Sequence, residues 1–336
     1  MLIWLVPALY WSRDREQPTR YDDWLHAASY VAMGWLNFAM LLCLMRDIAI
    51  IAMSFFPQAA GVREAFEAQG AQAVVLGSFV ALGIGMFWGL RGPSLVYVQI
   101  PIENLHPGLN GLRIAQISDL HVGPIIGRRY VQGVVDKALA LEADLYALTG
   151  DFVDGSVERL APHVEPMREL GKDGKAFFVT GNHEYYSGAP AWIAHLRSLG
   201  IGTLQNAHVA LPHGRATIAV AGVNDPMGRR VDGGPDPQCA ASKIVAADFR
   251  LLLAHNPRIA PRAAEAGFDL QLSGHTHAGQ FFPWTLAVRH LHAPHSSGLS
   301  REGAMWVYVS AGTGSWGPPV RFGTRTEVTL IELVAA

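Results

Sequence analysis

Five blocks decide the reading of this chain: Asp119-Leu120-His121, Gly150-Asp151, Gly181-Asn182-His183-Glu184, Ala254-His255 and Gly274-His275-Thr276-His277. Each directly follows a run that reads as a buried β-strand: 112–118, 144–149, 176–180, 249–253 and 268–273. In α/β proteins the loops leaving the C-terminal ends of strands are where ligands and metals are held. Five such ends that deliver Asp, Asn and His point to a site for two metal ions. A lone Asp-x-His or His-x-His arises often by chance, and a lone Gly-Asp more often still; the ordered set of five is specific.

The donor chemistry narrows the metal. Imidazoles, carboxylates and an amide oxygen make a mixed N/O set with no thiolate, which suits divalent Zn, Mn or Fe. It is too rich in nitrogen for a Ca or Mg cage.

These blocks resemble the pattern of the calcineurin-like metallophosphoesterases: D-x-H, G-D, G-N-H-[DE], a later lone His and G-H-x-H. The stretch Tyr308-Val309-Ser310-Ala311-Gly312-Thr313-Gly314-Ser315-Trp316-Gly317-Pro318-Pro319 is similar to the membrane-anchored subgroup of that superfamily. The resemblance covers residues 105–336. One departure is Ala278, where the subgroup usually has Gly; it touches loop geometry and leaves the ligands intact.

Carried over residue by residue, the resemblance implies that Asp119, His121 and His277 hold one divalent metal and that Asn182, His255 and His275 hold the other. Asp151 bridges the two. Two cations so close repel, so a bridging carboxylate and hydroxide must neutralise the space between them. The pair would lower the pKa of a bound water and clamp the phosphoryl oxygens. Gly150 and Gly181 precede ligands where the backbone must turn sharply. His183 is implied as the general acid that protonates the leaving group. Asp154 is implied as the carboxylate that orients it and raises its pKa. Asp154-Gly155 is also an ordinary turn signal. His290, His292 and His295 lie on no recognisable frame and read as surface loop.

Hydrophobic residues make up 50% of the 336-residue chain and charged residues 16%, against an ordinary charged share of about 25%. The apolar excess concentrates before residue 93. Residues 25–45 contain no Asp, Glu, Lys or Arg, and neither do 71–90. Each is long enough to cross ~30 Å of hydrocarbon as a helix. Residues 1–93 therefore read as a membrane anchor with two transmembrane helices, and 94–336 as the catalytic domain. Ala73, Gly77, Ala81, Gly85 and Gly89 form a small-xxx-small ridge, expected to pack against the first span. Arg46-Asp47 belongs near an interface, since charges are expensive at mid-bilayer. That leaves 48–56 as an interfacial or re-entrant stretch. Residues 1–11 are too short to span and lack the marks of a signal peptide.

The linker 91–107 contains the helix-breaking Gly92-Pro93 and an expected edge strand over 96–102. Alternating strand and helix signals beyond it give an α/β fold. The resemblance implies its form, a four-layer α/β–β/α sandwich metallophosphoesterase domain preceded by transmembrane helices.

The expected activity is that of a membrane-anchored binuclear-metal phosphoesterase acting on a phosphate ester, with a lipid-linked substrate suggested by Phe281, Phe282, Pro283, Trp284 and Leu286. The rival reading of that stretch is a core strand with a Pro turn. Phosphodiesterase or pyrophosphatase action on soluble nucleotides shares the same core, and fold analogy does not choose between them. A non-catalytic signalling module would usually have lost a ligand or the acid, and none is missing. Net charge −2 gives no nucleic-acid footprint. Residues 224–243 form a Gly/Pro-rich loop whose Arg229 and Arg230 read as solvated. Cys43 and Cys239 sit in different parts of the chain and are not expected to pair. Arg13, Arg15, Arg20 and Arg91 on one side of the spans, against Arg46 and Arg63 on the other, favour a multi-pass protein of the plasma membrane with a cytoplasmic catalytic domain.

Overall fold

The computed structural model describes residues 20–336. It divides into two units: the chain up to Arg91 together with Gly317–Gly323, and Gly92–Trp316 together with Thr324–Ala336. The expectations for residues 1–11, and for Arg13 and Arg15, fall outside the described residues.

The first unit is a helical hairpin. Helix Arg20–Ser54 runs to a 3₁₀ turn at Pro57–Ala59, and helix Ala60–Leu90 follows. Pro57 sets the break: the residue before a proline is pushed out of the helical region, and Phe56 is extended at φ −124°, ψ 99°. Residues 48–54 therefore prolong the first helix, and the sequence expectation of a separate re-entrant stretch is corrected. Nothing at Arg46-Asp47 interrupts the helix. The two side chains pair with each other at 2.7 Å, and a Cβ added at Gly70 would lie 2.7 Å from Arg46 Cδ. Gly34 lies against Leu82 and Gly77 against Leu42, and Trp35 stacks on Phe79. These pairs make the helices antiparallel and set 25–45 alongside 71–90. Both helices are long and apolar enough to cross a membrane.

The small-residue ridge has two partners rather than one. Gly77 faces Leu42 of the first helix, as expected. Further along, a Cβ at Gly85 would lie 2.6 Å from Val320 Cγ1, and one at Gly89 would lie 2.5 Å from the Pro319 carbonyl oxygen. Arg321 N–H donates to the Gly85 carbonyl at 2.9 Å, and Phe322 meets Phe38 edge-on. The ridge thus receives a backbone segment from far along the chain, which only residues without bulky side chains allow.

The second unit contains two six-stranded mixed sheets. The strands are β1 Ser94–Ile102, β2 Arg113–Ile117, β3 Leu145–Leu148, β4 Ala176–Phe178, β5 Gly202–Thr203 and β6 Ala207–His213. They continue as β7 Ala216–Gly222, β8 Phe249–Leu253, β9 Leu270–Ser273, β10 Gly298–Glu302, β11 Met305–Val309 and β12 Glu327–Ala335. One sheet has the order β1-β12-β2-β3-β4-β5 and the other β10-β11-β9-β8-β7-β6. The run β2-β3-β4 is parallel, and so is β7-β8-β9. Parallel strands of this kind are covered on both faces, which explains why Ile, Leu, Ala, Val and Phe predominate in them, with Gln116 and Gln271 as buried polar exceptions.

Three apolar layers hold the sandwich. Ile114, Leu145 and Phe177 of the first sheet meet Val220, Leu251 and Leu272 of the second. The opposite face of the first sheet packs Ile117, Leu148 and Phe178 with Val131, Val134 and Trp192 of the flanking helices. The outer face of the second sheet packs Leu252 and Val309 with Ala260 and Ala263. The result is the four-layer α/β–β/α arrangement. β1 alternates in exposure and, among the described residues, pairs only with β12, as an edge strand does.

The tight approach at Gly89 is testable. Gly89→Val in the full chain, in nanodiscs, should lower stability by about 1–3 kcal/mol, the usual cost of overpacking. Gly83→Ala, where an added Cβ meets nothing within 4 Å, serves as control. Equal melting temperatures for the two variants would refute the packing role of the ridge.

Candidate metal centre

The predicted blocks emerge from the ends of β2, β3 and β4 in one sheet and of β8 and β9 in the other. The backbone there is unusual. Asp119, His121, Asp151, His275 and His277 all have positive φ, between 51° and 71°. Each such non-glycine residue costs roughly 1–2 kcal/mol, a strain that persists only where the surroundings over-determine it. Gly150 also has φ +79°. Gly181 differs: its φ is −100°, and its need for glycine is space, since a Cβ there would lie 2.6 Å from the Asp151 nitrogen.

Three groups of donors converge; one, His121, Asp154 and His183, shares His121 with the first of the two that consist of predicted ligands. In the first, Asp119, His121 and His277 bring one ligand atom each within 4.8 Å of one another. His121 Nε2 is 3.0 Å from His277 Nε2, and His277 Nε2 is 3.3 Å from Asp119 Oδ1. In the second, Asp151, His255 and His275 do the same. There His255 Nε2 is 3.0 Å from Asp151 Oδ2, and His275 Nδ1 is 3.1 Å from Asn182 Oδ1. Asp119 also reaches the second group, accepting the His275 N–H at 2.9 Å.

These residues fit a metal. His255 Nδ1–H donates to the Thr149 carbonyl at 2.8 Å, which leaves a lone pair on Nε2. That atom is buried and faces Asp151 Oδ2 at 3.0 Å. The pair has the separation of two ligands on one ion, since bonds of about 2.1 Å place neighbouring ligands about 3 Å apart. Burial pushes the Asp119 carboxyl above its ordinary range, against the lowering influence of His255. Burial likewise raises Asp151, but His255 and then His183 outweigh it, so Asp151 lies well below the usual range. Two fully buried carboxylates call for cations.

Asp154 works beside this centre. Its Oδ1 accepts from His183 Nδ1 at 2.6 Å and from His121 Nδ1 at 3.1 Å. Both tautomers are thereby set with Nε2 facing away from the carboxylate. His183 N–H donates to Asp151 Oδ1 at 2.8 Å, and its ring meets His121, Tyr186 and Trp316 edge-on. Burial lowers its pKa, but Asp154 and then Asp151 outweigh that and raise it to about 9.

Glu184, the acidic residue that closes the Gly181-Asn182-His183-Glu184 block, has a structural role. It is fully buried, and its carboxylate accepts from Gly181 N at 2.7 Å, Asp151 N at 3.0 Å and Phe152 N at 2.7 Å. It ties two ligand loops together. The acidic fourth position of Gly181-Asn182-His183-Glu184 was the signal for it. Ser118 Oγ similarly donates to Asp119 Oδ2 at 2.6 Å.

The histidines near residue 290 correct the surface-loop expectation. His290 is exposed on helix Trp284–Leu291, but His295 is buried and bonds Ser300 Oγ at 2.8 Å and Glu302 at 2.9 Å. His292 is half-buried with its ring against His275. The same helix excludes the core-strand reading of Pro283–Leu286, because Phe282, Trp284 and Leu286 are exposed. Arg229 and Arg230 are exposed, as expected.

The sequence model of calcineurin-like phosphoesterases matches residues 112–279. A zebrafish (Danio rerio) transmembrane protein with metallophosphoesterase domain is 35% identical over 93% of this chain and 74% of its own. The cattle (Bos taurus) protein of the same description is 36% identical over 75% of this chain and 60% of its own. An uncharacterized metallophosphoesterase of Helicobacter pylori strain J99 is 34% identical over 77% of this chain and 70% of its own. The chain belongs to the calcineurin-like phosphoesterases, metal-dependent phosphoric ester hydrolases, and to their membrane-anchored subgroup.

Ala278 now has a physical reading. It sits at φ 52°, ψ 25°, a conformation that glycine adopts freely. Ala278→Gly should therefore raise stability by about 0.5–1 kcal/mol in chemical denaturation, the strain relieved exceeding the entropy gained by the unfolded chain. Ala161→Gly, inside helix Val157–Val164, should instead lose about 1 kcal/mol. A loss at both positions would show that Ala278 is unstrained.

Proposed function

We propose that the chain is a membrane-anchored phosphoesterase with two metals, in which Asp119, His121 and His277 hold one divalent cation and Asn182, His255 and His275 the other, with Asp151 shared. The observation that carries this reading is the convergence of Asp119, His121 and His277 in one donor group and of Asp151, His255 and His275 in another, with His255 Nε2 buried 3.0 Å from Asp151 Oδ2. Cations of Mn, Zn or Fe bound there would supply Lewis acidity to the phosphoryl oxygens and a hydroxide nucleophile at neutral pH. The chain's own residues supply the rest. His183 donates a proton to the leaving-group oxygen, and its raised pKa keeps that proton in place at neutral pH. Asp154 holds the imidazole in the required tautomer and stabilises its protonated form.

The substrate reading is a phosphate ester on a lipid-linked molecule. Exposed Phe282, Trp284 and Leu286 follow His277 closely in the chain, and the same chain carries two helices suited to a bilayer. Phosphodiesters and pyrophosphates of soluble nucleotides would use the same metal core. A panel of aryl phosphate, bis-aryl phosphate, nucleotide pyrophosphate and phospholipid separates these activities. The basic residues at the two ends of the hairpin favour a cytoplasmic catalytic unit at the plasma membrane. Protease cleavage of residues 105–336 from the outer face of intact spheroplasts would overturn that sidedness.

Purified full-length protein should contain two equivalents of divalent metal, and chelation should abolish hydrolysis. Asp151→Asn should reduce both equivalents, because both sites use this carboxylate. Elemental analysis that finds a single metal or none in active protein would refute the two-metal reading.

His183→Ala separates proton donation from metal binding. Turnover of alkyl phosphates should fall by roughly 10²–10⁴-fold, with metal content retained. Nitrophenyl esters, whose leaving groups need no proton, should lose far less. A uniform loss across the leaving-group series, or loss of a metal, would remove His183 from the acid role.

A further inference from the structure

One strand end beside the metal centre has no predicted ligand. β7 ends at Gly222, paired with Leu253 of β8, and Val223 N–H donates to the Leu253 carbonyl at 3.1 Å. Asn224 and Asp225 therefore follow alongside Ala254 and His255. Both are 3% exposed. Asp225 Oδ1 accepts from Met227 N at 2.8 Å, while its Oδ2 is buried and accepts from nothing among the described residues. The Asn224 amide donates to the Asp232 carbonyl at 3.4 Å, which leaves Asn224 Oδ1 buried and equally bare. The pairing of β7 with β8 sets Asp225 beside the strand end that carries His255, and burial raises its carboxyl to about 6 against the lowering influence of His255.

This pair is held rigidly. Asn206 Oδ1 accepts from Asn224 N at 3.3 Å and from Asp236 N at 2.9 Å. Tyr185 OH, two residues from His183, donates to Asp232. The loop from Asn224 to Asp236 is thus pinned at both ends and in its middle. Two acceptor oxygens kept dry without donors are costly, and such atoms mark a place where a donor arrives.

The chemistry of that donor follows from charge. A phosphoryl oxygen would be repelled by the Asp225 carboxylate, so the phosphate end of a substrate is excluded. What remains is a hydrogen-bond donor on the alcohol end. We propose that Asn224 and Asp225 form the subsite for the alcohol moiety of the ester, accepting hydrogen bonds from a hydroxyl or ammonium group on it. This rests on the phosphoesterase reading and adds to it a preference for polyol or amino-alcohol leaving groups over plain alkyl ones.

The test uses two substrates of matched size, glycerol 3-phosphate and n-propyl phosphate, each as monoester and methyl diester. Metal-loaded full-length protein should prefer the glycerol compounds by tenfold or more in kcat/KM. In Asp225→Asn that ratio should fall to within about threefold of unity, with the change carried by KM, the scale expected for a hydrogen bond to a charged group. Asn224→Ala should lower it as well, and the metal content of both variants should match the parent. A parent without preference, a preference that survives in Asp225→Asn, or metal loss in that variant would each overturn the subsite. Failure of the phosphoesterase reading itself looks different: nitrophenyl phosphate would not be turned over at all.

Discussion

The burial of Asp119 and Asp151 is the constraint to which the rest of the catalytic unit answers. Two carboxylates removed from water demand compensating charge, and each sits on a strand end of the same sheet. Histidines from the facing sheet close around them. To place these groups, the chain accepts left-handed backbone at five ligand positions and binds the loops with Glu184, whose carboxylate takes three backbone N–H groups. The apolar layers supply the rigidity: with Ile, Leu and Phe filling the space between sheets, the strand ends have little freedom to relieve that strain.

Asp154 shows how closely the parts of the centre are coupled. One carboxylate oxygen receives both His121, a candidate ligand, and His183, the candidate acid. A change in how either imidazole is held is felt by the other through this shared acceptor. Trp316 and Tyr186 cover the His183 ring from other directions, so its surroundings combine a strong negative field with aromatic faces.

Much of this was legible in the residues. Ligand blocks directly after apolar runs announced strand ends, because a parallel strand covered on both faces needs near-continuous hydrophobic sequence. The charge-free stretches announced the helical pair for the same reason of solvent. Other features were hidden. The spacing of Gly85 and Gly89 said that something approaches closely, but periodicity carries no information about a partner more than 200 residues away. Asn224-Asp225-Pro226 has the composition of an ordinary turn, and its burial depends on β7 lying beside β8. Glu184 read as part of a motif, while its role arises from three backbone groups that no side-chain pattern records. His292 and His295 read as surface residues of a loop; the loop is there, but their partial or full burial depends on His275, Ser300 and Glu302, which only tertiary folding brings near.

Residues 317–335 finish both units. Gly317–Gly323 completes the helical one, and β12 lies between β1 and β2 in the first sheet. During synthesis the hairpin emerges early, yet neither its glycine surface nor the sheet has its full set of neighbours until more than 220 further residues have been made. Pairings of such long sequence separation form slowly. The newly made chain therefore passes through an interval in which the flanks of β1 and β2 and the grooves at Gly85 and Gly89 are bare. A chain cut before Gly317 would lack both the segment packed at Gly85 and Gly89 and the strand between β1 and β2, so a single truncation strips neighbours from both units at once.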